Sequence, residues 1–206
     1  MKLLFAHGWG FDRSFWKPLA DLLADLPHAI DDRGYFGSAQ GAFVDGPCLA
    51  VTHSFGTMRV LREPPPGLMG IVAINGFDRF SARPDRAGVP LRVLDRMLRR
   101  FREDPRAVLT EFRRQCGADA EFGEFDAVLL REDLVRLRDE EAPLPSVPVL
   151  SLQGGRDPLL PEAMRTQVFR NASVRRMEFA AGGHLLPLEA PEFCAKVVRD
   201  MIGARP

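Results

Sequence analysis

Ser54, His184 and Asp157 are the side chains whose types and settings point most directly to chemistry. A serine becomes a useful nucleophile when a histidine takes its proton and a carboxylate orients the histidine. Ser54 closes the apolar run Leu49-Ala-Val-Thr-His-Ser-Phe-Gly56, with small residues two places to either side. A sharp strand-to-helix turn needs that spacing, because larger side chains there would strike neighbouring backbone. Glycine usually fills both places, and here Thr52 takes the first. Asp157 sits in Leu150-Ser-Leu-Gln-Gly-Gly-Arg-Asp-Pro158, a tight loop beyond a strand's carboxyl end, where α/β proteins build sites. An aspartate before proline also makes Asx-turns and helix caps, so that role stays open. Asp78, just after Ile74-Asn-Gly-Phe77, is the second candidate for the acid. His184 lies in Ala180-Ala-Gly-Gly-His-Leu-Leu-Pro187, a glycine-rich loop that suits a mobile base.

A fourth motif, His7-Gly-Trp-Gly10, directly follows the first apolar run. Glycines there let a backbone N–H turn toward a developing oxyanion, and the second donor comes from the residue after the nucleophile. Trp9 and Phe55 are therefore the expected oxyanion-hole donors. Of the other histidines, His7 and His53 are read as shaping their turns and His28 as a surface residue.

Five short apolar runs have to position these motifs: 2–6, 48–52, 70–75, 147–153 and 174–179. Their apolarity is continuous rather than alternating, which predicts strands buried on both faces of a parallel sheet with helices on either side. Helical periodicity covers 15–26 and 192–202. Between the third and fourth runs, residues 81–142 read as helical almost throughout, an inserted lid on a core formed by 1–80 and 143–206. Within it, 89–101 carries an apolar stripe opposite arginines, Asp104-Pro105 opens a helix that Gly117 stops, and another helix covers 125–137.

The chain has 206 residues, 46% hydrophobic and 27% charged, which fits one globular domain with a full core. Its 28 basic and 28 acidic residues cancel, so no global charge points to nucleic acid. No apolar run reaches the roughly 18 residues of a membrane span, and the N-terminus lacks a signal-peptide pattern, which predicts a cytoplasmic protein. Cys48, Cys116 and Cys194 are widely spaced without a CxxC pair, which fits buried thiols better than a metal or redox site.

The four motifs, each at a strand's end and in the order Ser, Asp, His, resemble the α/β-hydrolase family. More narrowly the chain resembles the biotin-pathway carboxylesterases that cleave pimeloyl-[acyl carrier protein] methyl ester. That likeness rests on His7-Gly-Trp-Gly10 with a Phe/Trp helix behind it, the Gly-x-Asp-x-x-x-Pro loop, and Pro191-Glu-Phe-Cys194 after the histidine. The chain departs from the pattern by opening on what is usually the third strand, by a short 37–47 segment in place of a helix, and by Thr52 and Thr57 around the elbow. The resemblance implies a serine carboxylesterase of the α/β-hydrolase fold that uses neither cofactor nor metal, acting on a small-molecule or carrier-bound acyl ester. His7, Phe77, Phe101 and Leu185 are the expected substrate contacts.

From Arg83 to Cys116 there are ten arginines against five acids, a local excess of +5. Such a surface suits an acidic acyl carrier protein, with Arg92, Arg96 and Arg99 as its contacts, although arginines also simply solvate a helix face. Two other readings stand beside the carrier-ester one. The first is a short-chain carboxylesterase or C–C bond hydrolase of the same fold. The second is a non-catalytic binding protein, motivated by Thr52 and the trimmed scaffold.

Overall fold

The computed structural model describes every residue except 43, 119, 120, 171 and 204–206. Six parallel strands form one sheet in the order β2-β1-β3-β4-β5-β6. These are β1 Lys2–Ala6, β2 His28–Asp31, β3 Cys48–His53, β4 Leu68–Ile74, β5 Val149–Gly154 and β6 Val174–Phe179. Five match the apolar runs. The edge strand β2 was not expected, because His28-Ala-Ile-Asp31 is short, partly exposed and has no apolar run to announce it.

Alternation along the inner strands splits the core in two. Ala50, Ile71 and Ala73 face α2 (Phe55–Arg62) and the helices α3 (Leu91–Glu103), α4 (Pro105–Cys116) and α5 (Ala127–Asp139). Leu49, Val51, Val72, Ile74, Leu150 and Leu152 face the other way, against α1 (Lys17–Leu22) and the terminal α8 (Pro191–Gly203). Two single-turn helices, α6 (Glu162–Arg165) and α7 (Leu186–Glu189), flank β6.

Two helical expectations need correction. The first helix does not run through 15–26: a 3-10 turn at Arg13–Trp16, capped by Asp12 on Ser14 N, leads into α1, which stops at Leu22. Pro27 disfavours helical backbone at Leu26, and the chain closes instead through Leu26 N to Leu23 O. The 81–142 segment is also less helical than expected. Residues 81–90, interrupted by Pro84, Gly88 and Pro90, form only isolated bridges, and 121–126 are irregular. Asp104 does cap α4 through Ala107 N, and Gly117 ends it in the left-handed region at φ 97°. Among the described residues no helix is long and apolar enough to cross a membrane.

Candidate active site

All four motifs meet at the carboxyl ends of β1, β3, β5 and β6. β3 passes into α2 through Ser54 at φ 51°, ψ −125°, a conformation that costs a non-glycine residue of order 1–3 kcal/mol and persists only where its surroundings over-determine it. Those surroundings are tight. A side chain at Gly56 would come within 2.2 Å of the Ala6 carbonyl, and one at Gly8 would meet the Ser54 Cβ at 3.0 Å. The two glycines let the first motif and the elbow close on each other.

Asp157 makes two sets of contacts. One carboxylate oxygen accepts from Leu159 N at 2.7 Å and Leu160 N at 3.1 Å, which is the turn; the other lies 2.7 Å from His184 Nδ1. A carboxylate only accepts, so Nδ1 carries the proton and Nε2 keeps its lone pair. Nε2 is buried and has no hydrogen-bond partner among the described residues, so the arrangement presents an oriented, unoccupied base. No hydrogen bond joins it to Ser54 in this structure; such contacts often tighten only when substrate is bound. Asp78 is occupied elsewhere, accepting from Phe169 N at 2.9 Å and pairing with Arg86 at 2.7 Å.

Phe55 N is the first N–H of α2 and has no acceptor within the helix, which leaves it available to an oxyanion. The Trp9 indole donates to Leu130 O at 2.8 Å, tying the first motif to α5, while its ring packs edge-on against Phe112 and Phe101. His7 sits within its turn: Nδ1 lies 2.9 Å from Gly8 O, and Nε2 lies 3.1 Å from Arg33 N and 3.3 Å from Asp32 Oδ1. Nearby Asp32 is partly buried, which opposes ionisation, yet the His7 ring and the Gly34 and Arg13 N–H groups hold its carboxyl down at about 2.

Among the expected substrate contacts, Phe77 and Phe101 belong to the core that contains Trp9 and Phe55, whereas Leu185 packs on the opposite core beside the His184 loop. Ser54 itself is only 6% exposed, so the site is enclosed. Arg92, Arg96 and Arg99 are exposed on α3. The three cysteines are buried; burial pushes the Cys116 thiol well up and that of Cys194 to about 12. Among the described residues no group of three or more His, Cys, Asp or Glu is placed to hold a metal.

A family model described as the alpha/beta hydrolase family matches residues 3–197. The chain belongs to the α/β-hydrolase family. Searching the curated proteins by sequence gives no match. Solved structures share the fold at low identity. An esterase from Exiguobacterium antarcticum is 14% identical with a TM-score of 0.82, covering 99% of this chain and 92% of that one. A hydrolase from Oleispira antarctica is 16% identical with a TM-score of 0.77, covering 99% and 91%. The carboxylesterase CesB from Bacillus subtilis is 16% identical with a TM-score of 0.64, covering 100% and 84%.

As an α/β-hydrolase the chain is unusual in its elbow threonines, and the structure accounts for them together. Thr52 and Thr57 are both fully buried, and their hydroxyls bond to each other at 2.7 Å. Gly76 makes room, since a side chain there would meet the Thr57 hydroxyl at 2.2 Å. Two departures that look like separate defects in the sequence form one satisfied pair. Residue-type reasoning missed Asn75 and Glu189, which hold the His184 loop. The Asn75-Gly76 dipeptide after a strand is a turn signal that could have drawn attention to the first of them.

Proposed function

We propose that this chain is a serine carboxylesterase in which Ser54 attacks an ester carbonyl. His184 Nε2 takes the serine proton and then protonates the leaving alcohol, while Asp157 holds the ring and stabilises its charged form. The Trp9 and Phe55 N–H groups stabilise the tetrahedral oxyanion, each donor contributing about 3 kcal/mol. Water, deprotonated by His184, then releases the acid from the acyl-enzyme. The observation that carries this reading is the 2.7 Å His184–Asp157 bond beside a serine held at positive φ.

For the substrate we favour a carrier-bound acyl ester, with pimeloyl-[acyl carrier protein] methyl ester as the candidate and the cytoplasm as its place. Arg100 pairs with Glu111 at 2.7 Å and Arg138 with Asp95 at 2.6 Å, but Arg92, Arg96 and Arg99 enter no ion pair among the described residues. Unpaired guanidiniums on one helix are available to the acidic groups of a carrier. Phe77 and Phe101 line the acyl side of the site in this reading, with Leu185 and the His7 turn on the other, and the 81–142 segment acts as the lid. The test compares kcat/KM for the pimeloyl-carrier methyl ester with that for a free methyl ester. A preference for the carrier ester that fades as salt rises supports the reading. Equal values at all salt concentrations would remove the carrier from it.

A further inference from the structure

The loop that carries His184 contains Gly182 and Gly183, which leave its backbone free to move, yet a general base must be held within a fraction of an ångström of its working position. Side chains from neighbouring strand ends supply the restraint. Asn75, fully buried at the end of β4, donates from Nδ2 to Gly183 O at 2.9 Å and to His184 O at 2.8 Å. Its Oδ1 accepts from Gly154 N at 2.7 Å, on β5. Every hydrogen-bonding site on the amide nitrogen is used, and the two carbonyl partners fix which way the amide points. Asn75 has φ 46°, a region that asparagine enters more readily than most residues.

His53, at the end of β3 and next to Ser54, supplies a second arm. Its Nε2 lies 2.9 Å from His184 O, and because a carbonyl only accepts, this nitrogen carries the proton. Burial, and then the neighbouring His184, push its basicity well below the ordinary imidazole value, so it stays neutral beside the ring 4.8 Å away that becomes charged in the reaction. His184 O thus takes two donors from two strands.

We infer that Asn75 is a positioning residue: with His53 it clamps the backbone of His184 to the strand ends that also carry Ser54, and so fixes the base relative to the nucleophile. The inference rests on the proposed role of His184 as general base. Asn75→Gly removes the amide and tolerates the positive φ; Asn75→Asp keeps the shape but turns a carboxylate toward two carbonyls. The clamp predicts that both lower kcat between about tenfold and a hundredfold per titratable active site, with KM within about twofold. The acid limb of the pH profile moves down in Asn75→Gly, as the loosened ring loses Asp157, and up in Asn75→Asp, as the new charge favours imidazolium. His53→Leu lowers kcat, and His53→Gln, which can still donate, restores most of it.

The downfield His184 Nδ1–H resonance reads the same loop without turnover. It broadens or disappears in Asn75→Gly if the clamp exists. Wild-type kcat per active site and an unchanged resonance in Asn75→Gly would overturn the inference. Should the wild type hydrolyse no ester, the catalytic reading fails while the resonance still decides whether Asn75 holds His184.

Discussion

The strand ends and the helices above them are held by different forces. At the strand ends Asn75 is joined to Gly154 and His184 by directional hydrogen bonds of 2.7 and 2.8 Å between buried groups, and Ser54 N donates to Ile74 O at 3.2 Å. α3, α4 and α5 instead cover them with an apolar stripe that includes Leu94, Phe101, Leu109 and Leu130, and turn arginines outward. Two bonds pin those helices to the first motif: Trp9 Nε1 to Leu130 O at 2.8 Å and Arg113 Nη1 to Gly10 O at 2.7 Å. Directional bonds fix a geometry; apolar contacts fix mainly an area, and tolerate repacking. In the proposed function the reaction therefore belongs to the first region and substrate choice to the second.

The largest expected effect separates Asp157 from Asp78. Asp157→Asn keeps an oxygen for Leu159 N and Leu160 N, so the turn survives, but it cannot hold His184 in the working tautomer; kcat falls by about 10⁴-fold at nearly unchanged stability. Asp78→Asn does the reverse. It leaves Arg86 short of a buried partner and costs about 3 kcal/mol in chemical denaturation, while active-site labelling per folded molecule persists.

A smaller effect comes from pH. His53 has a folded-state pKa well below its unfolded value near 6.5 because it is buried and lies beside His184. The unfolded state therefore binds a proton that the folded state refuses, and stability is lost as pH falls below about 6.5, at a slope approaching 1.4 kcal/mol per pH unit. Denaturation of His53→Gln across this range should show a slope smaller by about one proton. The mildest effect belongs to the outer helices. Charge reversal at Arg96 and Arg99 lowers kcat/KM for a carrier ester several-fold more than for a p-nitrophenyl ester, and equal losses on both would reassign those arginines to solvation.

How far the sequence could be read follows the same division. Leu49–Val51 and Ile71–Ile74 are continuous apolar runs because they are covered on both faces, and that made the parallel sheet legible. β2 escaped because an edge strand of four residues, partly open to water, carries no such pattern. Ser54, Asp157 and His184 stood out through local motifs, each set by the turn that its own neighbours must form. Asn75 did not, because its partners lie 79 to 109 positions away and only the fold brings them together. The Thr52–Thr57 pair was visible as two anomalies, and only their 2.7 Å contact shows that each answers the other.

The most direct test of the central claim is labelling by a fluorophosphonate, which reacts only with an activated serine. A single adduct on Ser54 in the folded wild-type protein, absent in Ser54→Ala and strongly slowed in His184→Ala, is the predicted result. Folded wild-type protein that takes no label, or a Ser54→Ala variant that takes as much, would contradict it.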